Sequence, residues 1–101
     1  MEMTTEAYIP RQVTFDGRPV AEVFALTLHD PDSDTPHGAL TTHNPLSEGA
    51  RGPLVVIGTR EGSDWRVQLP EIEVYRQTAV GCEFNIFAPV MRTELPAEES
   101  D

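Results

Sequence analysis

Between Trp65 and Val74 the chain alternates apolar and polar residues on both sides of a proline, and no other stretch restricts the fold as tightly. Trp65, Val67 and Leu69 share one parity and Ile72 and Val74 share the other, with Arg66, Gln68, Glu71 and Glu73 between them. Successive side chains of a strand point to opposite faces, so each half reads as a half-buried strand. Pro70 marks the change of inward face. Proline cannot donate a ladder hydrogen bond, so a bulge or a sheet edge is predicted there.

The flanking sequence extends the same pattern. Leu54 to Ile57 is an unbroken apolar run between Pro53 and Gly58, which predicts a central strand buried on both faces. Thr59 to Ser63, with Glu61 and Gly62, turns the chain back as a hairpin, and Arg76 to Ala79 forms a second turn. Val80, Cys82, Phe84 and Ile86 then restore the period of two, ending at Pro89 with a short edge segment over Val90 to Arg92. Upstream, Val13 and Phe15 alternate into Asp16-Gly17, a strong hairpin signal because a type I′ turn needs positive φ at both central residues. Residues 1 to 9 read as a loose terminus pinned near Tyr8, since Pro10 cannot continue a ladder. Arg18 to His29 fits strand spacing, with Val20, Phe24, Leu26 and Leu28 on one parity. Helical spacing with Pro19 in the first turn is the alternative, and would make the domain α+β.

From Asp30 to Gly52 the pattern lapses into a segment punctuated by Pro31, Pro36, Pro45, Gly38, Gly49 and Gly52, read as a long loop that a short strand at Ala39 to Thr42 could shorten. Loops of this length are usually functional or disordered. The fold expected is mainly β, a small antiparallel barrel or sandwich of five to six strands over residues 1 to 93, with an acidic disordered tail over 94 to 101. Its core would draw on Val13, Phe15, Phe24, Leu26, Val55, Ile57, Trp65, Val67, Leu69, Ile72, Val74, Val80, Phe84 and Ile86.

Composition sets limits on function. The 101 residues suit one domain, and the single cysteine, Cys82, excludes an internal disulfide framework, which fits a cytoplasmic setting. A polar, acidic start without an apolar run argues against a signal peptide, and no run is long enough to span a bilayer. Seventeen acidic against seven basic residues give a formal charge of -10, so nucleic acid and anionic membranes are repelled and a basic protein surface is attracted. All seven basic residues are arginine. The absence of lysine removes Schiff-base enzymes and P-loop NTPases, and suits a GC-rich or salt-adapted prokaryote or its phage.

The candidate chemistry centres on the loop. Asp30, Asp32 and Asp34 alternate as in the first half of an EF-hand, but Thr35 stands where that loop needs glycine and Thr41 where it needs glutamate. His29, His37 and His43 lie on or beside the same segment and, with the aspartates, form a candidate metal site; three loop histidines are more often exposed side chains. Cys82 could serve as a nucleophile, though on the apolar parity of a strand it reads first as a small buried hydrophobe. Arg60, Arg66 and Arg76 with Trp65 and Tyr75 approximate a nucleic-acid surface, which Glu61, Asp64, Glu71 and Glu73 offset.

No catalytic residues and no cofactor-binding residues can be named; a divalent cation is the one cofactor considered. The expected function is therefore a non-enzymatic protein-binding module, either a structural or adaptor component or an acidic inhibitor that mimics nucleic acid toward a basic partner. The alternative is a metal-binding module or metal-dependent enzyme built on His29, Asp30, Asp32, Asp34, His37 and His43. An exposed strand edge at Val80 to Phe87 or Leu54 to Ile57 would allow homo-oligomers.

Overall fold

A computed structural model of the chain describes residues 4–96. These form eight strands and no helix: β1 (Thr5–Phe15), β2 (Arg18–Pro19), β3 (Val23–His29), β4 (His37–Thr42), β5 (Arg51–Arg60), β6 (Ser63–Thr78), β7 (Gly81–Ile86) and β8 (Met91–Glu94). Six of them close an antiparallel barrel in the order β1-β3-β4-β7-β6-β5 and back to β1, with β2 added to β1 and β8 to β6. The helical alternative for residues 19–28 is thereby excluded in favour of β3. Among the described residues no helix is long and apolar enough to cross a membrane. Residues 97–101, most of the expected acidic tail, lie outside the described residues. Glu94 closes β8, and the Leu95 amide donates to the Asp64 carbonyl.

Closure depends on two long, irregular strands. β1 pairs with β3 through Thr5 to Tyr8 and with β5 through Ile9 to Phe15, with a register shift between Pro10 and Gln12. Pro10 sits at this irregularity, where proline is tolerated, so the strand continues through it rather than ending. β6 likewise faces β5 along one edge and β8 then β7 along the other. Its Pro70 falls between the β8 pairing, which ends at Gln68, and the β7 pairing, which starts at Ile72. Across from it, the β5 register shifts between Gly52 and Leu54. Val67 and Leu69 before the proline and Ile72 and Val74 after it are all buried, so the inward parity changes where the sequence predicts.

The core is built from Tyr8, Val13, Leu26, Leu28, Leu40, Leu54, Val56, Val67, Leu69, Ile72, Val74, Cys82, Phe84 and Ile86. Four expectations are corrected. The run from Leu54 to Ile57 alternates instead of being buried on both faces, with Leu54 and Val56 inside and Val55 and Ile57 half-buried outside. Phe24 is exposed because the β3–β4 register shifts between Val23 and Ala25, which turns Phe24 outward and Val23 toward the core. Val80 is exposed because it forms the β6–β7 turn. Phe15 and Trp65 pack against the core only in part.

The turns follow their residues. Asp16 and Gly17 have φ of 53° and 80°, and Glu61 and Gly62 have 52° and 83°, the positive pairs a tight hairpin requires. The expected long loop contains β4 and the start of β5. Neither segment expected to offer an exposed edge does so: β7 lies between β4 and β6, and β5 between β1 and β6.

Candidate functional site

β3 and β4 are joined at one end of the barrel by residues 30–36, while β7 and β8 are joined by residues 87–90. The two connections meet where the Ile86 amide donates to the Pro36 carbonyl (3.1 Å). Between them lies an open groove of about 560 Å³. Its walls include Pro31, Pro36, Ile86, Phe87, Pro89 and Val90, and Asp32 and Asp34 stand on its rim.

Local bonding fixes both walls. Asp30 adopts a φ of 48° and is held twice by Thr4, whose amide donates to Asp30 Oδ1 (2.8 Å) and whose carbonyl accepts from the Asp30 amide (2.7 Å). Ser33 bonds back to the Asp30 carbonyl, and the Thr35 amide donates to Ser33 Oγ. On the other wall, the Phe87 amide donates to the Glu71 carbonyl, and the Arg51 guanidinium, paired with Glu71, lies 4.8 Å from the Phe87 ring centroid. Phe87 remains 51% exposed, an aromatic ring with the Arg51 guanidinium over one face.

Beneath the rim lies a buried polar cluster. Arg92 of β8 reaches Glu6 of β1 with two hydrogen bonds (2.8 and 2.9 Å), and Tyr8 donates to the same carboxylate (3.1 Å). Arg92 also lies 3.6 Å from Asp32, so the acidic rim is tied to the barrel wall through one guanidinium. The bond to Glu6 raises the Arg92 pKa above its usual value, whereas burial and the neighbouring Glu6 charge raise that of Tyr8.

The six candidate metal ligands do not converge. His29 and His37 are register partners across β3 and β4. His43 lies past the other end of that ladder, packed edge-on against Phe24, six residues beyond His37 and so about 20 Å away from it. Asp30 is committed to Thr4, Asp32 faces Arg92, and Asp34 is exposed in the loop. Among the described residues no group of three or more His, Cys, Asp or Glu is placed to hold a metal ion. Glu83, which the sequence pattern leaves unmarked, and Tyr75, which it marks only as part of a nucleic-acid surface, line a small cavity beside the His29–His37 pair. Hydrogen bonds from Tyr75 (3.0 Å) and Arg76 (2.6 Å) to Glu83 Oε1 hold the Glu83 carboxyl below its usual pKa.

Cys82 is buried in the core, and desolvation pushes its thiol pKa up. A raised folded-state pKa gives a stabilising contribution that is complete below the unfolded value of about 8.5 and is lost as pH rises through the folded value. The native protein should therefore resist a thiol reagent at pH 8 and react once unfolded in urea. Rapid native labelling would contradict this placement. Two arginines of the candidate nucleic-acid surface are paired with carboxylates, Arg60 with Glu61 and Arg76 with Glu83.

Comparison with known proteins gives no match, whether to a family model, a curated protein or a solved structure.

Proposed function

We propose that this domain is a protein-binding module whose contact surface is the groove between residues 30–36 and 87–90. The observation that carries this reading is the exposed Phe87 ring, propped by Arg51 in an open groove of mixed polar and apolar lining that includes Asp32 and Asp34. An aromatic anchor in a preformed concave site with a charged rim is the arrangement that concentrates binding energy at protein interfaces. The occupant is a polypeptide segment with an apolar side chain flanked by arginine or lysine. Its apolar side chain would cover Phe87, and its cations would face the two aspartates and the overall charge of -10.

Of the two roles expected from composition, an adaptor fits this geometry better than nucleic-acid mimicry. Mimicry asks for a row of free carboxylates, whereas Glu6, Glu61, Asp64, Glu71 and Glu83 each lie within 4.0 Å of an arginine. The remaining acidic residues are spread along the sequence from Glu2 to Asp101. They steer a basic partner toward the domain more than they imitate a backbone.

The test is selection of peptides from a displayed library on the immobilised domain. Apolar-basic segments should be enriched, and their affinity should fall at least tenfold on Phe87→Ser. The double change Asp32→Asn, Asp34→Asn should slow association and flatten the salt dependence. Enrichment without such motifs, or binding that survives both variants, would overturn the assignment.

A further inference from the structure

A second feature of the β3–β4 hairpin has a chemistry unrelated to the groove reading and does not rest on it. His29 and His37 are the last register pair of the hairpin, so both side chains project from one face of the sheet. Their rings stack with centroids 5.0 Å apart and planes 25° from parallel. Side chains of this pair, Tyr75 and Glu83 line a cavity of about 230 Å³ with Gly38 and Ala39.

The tautomer of one ring is set by its neighbour. His37 Nδ1 lies 3.2 Å from the Thr35 carbonyl oxygen, which can only accept, so in the neutral ring Nδ1 carries the proton and Nε2 presents its lone pair. A histidine that ligates a metal characteristically donates its other N–H to a carbonyl in this way. Glu83 adds an oxygen donor to the cavity wall, because Tyr75 and Arg76 both bond Oε1 and Oε2 takes no bond among the described residues.

We propose that the His29–His37 pair is a surface site for a divalent transition-metal ion, with one nitrogen from each ring as ligand once the rings turn out of their stack, and the remaining positions filled by water, which the Glu83 carboxylate would hold. Two imidazoles select zinc, nickel and copper over the hard cations, which favour clustered carboxylates. The site thus differs from an aspartate-centred one: Asp30 is bound to Thr4, and Asp32 faces Arg92. Affinity should follow the order of divalent first-row metals, with copper tightest.

The full chain, freed of metal and held at pH 7.5, would be titrated calorimetrically with zinc, nickel and copper, and separately with calcium and magnesium. One transition-metal ion per chain is expected, with no uptake of calcium or magnesium. His29→Gln or His37→Gln should weaken nickel at least tenfold, while His43→Gln and the triple change of Asp30, Asp32 and Asp34 to Asn should not. Copper-induced broadening of amide resonances, read on the unaltered protein, provides a test independent of any folding defect in the variants; it should centre on His29, His37 and Glu83. Absence of saturable binding up to millimolar metal, binding retained without both histidines, or broadening centred on His43 would overturn the proposal.

Discussion

Replacing Gly81 with alanine should destabilise the barrel by about 3 kcal/mol, at the upper end of what overpacking costs. Gly81 pairs with Thr41 across β4 and β7, and a Cβ built on it would lie 1.8 Å from the Leu40 carbonyl oxygen and 2.9 Å from its carbon. The obstacle is backbone, so no side chain can rotate aside. The two strands would have to separate at a seam on which closure depends, between the hairpin that carries the histidines and the strand that leads to Phe87. For a domain of this size the loss corresponds to a fall in Tm of roughly 15 °C. Urea denaturation measures it directly. A change below about 1 kcal/mol would mean that β4 and β7 do not approach as closely as described. By contrast, Gly17 and Gly49 would seat a Cβ without contact, and substitution there tests only the cost of positive φ.

Breaking the Glu6–Arg92 pair should cost about 2–3 kcal/mol, well above the value of a surface ion pair. The side chains are only 11% and 23% exposed, and the carboxylate accepts two bonds from Arg92 and one from Tyr8. In Glu6→Ala the guanidinium stays partly buried without its counter-charge, and Tyr8 loses an acceptor. Removing both charges together, as Glu6→Leu with Arg92→Met, should cost less than the sum of the single changes, because no orphaned charge remains. A double-mutant cycle in urea reads the coupling. Additive effects would mean that the pair is solvated and that Asp32 is not anchored through Arg92. Since the same guanidinium faces Asp32, Arg92→Met should also free that carboxylate and strengthen binding of a basic peptide at the groove.

Much of this barrel is legible in the sequence wherever a large apolar residue alternates with a polar one. β6 is the clearest case, because Pro70 divides two short patterns of opposite parity and the structure puts the irregularity beside it. Where the alternation is masked, the reading fails for identifiable reasons. Leu54, Val55, Val56 and Ile57 are all apolar, so parity cannot be read from them. Only the pairing with β1 and β6 decides that Leu54 and Val56 face inward. β4 contributes one large apolar side chain, Leu40, among His37, Gly38, Ala39, Thr41 and Thr42, and its strand character comes from neighbours on both sides. A single extra residue between Val23 and Ala25 exchanges the faces of Val23 and Phe24, which composition cannot reveal.

The candidate sites divide along the same line. The Asp30 loop is visible as a break in pattern, but the partners of its aspartates, Thr4 and Arg92, lie far away in sequence. His29 and His37 are neighbours only through the hairpin register, and His43 is excluded from them by that same register. Phe87 looks like a strand residue that spoils the alternation. Its exposure follows from the break between β7 and β8, where Pro89 and Pro70 both interrupt the ladder.

The most direct measurement is a map of amide chemical-shift changes as a library-selected apolar-basic peptide is added to the isotopically labelled domain at two salt concentrations. The groove reading predicts changes concentrated at Asp32 to Thr35 and at Phe87, Ala88 and Val90, with affinity falling as salt rises. Changes centred instead on the outer edge of β8, or on the His29–His37 face, or binding indifferent to salt, would contradict it.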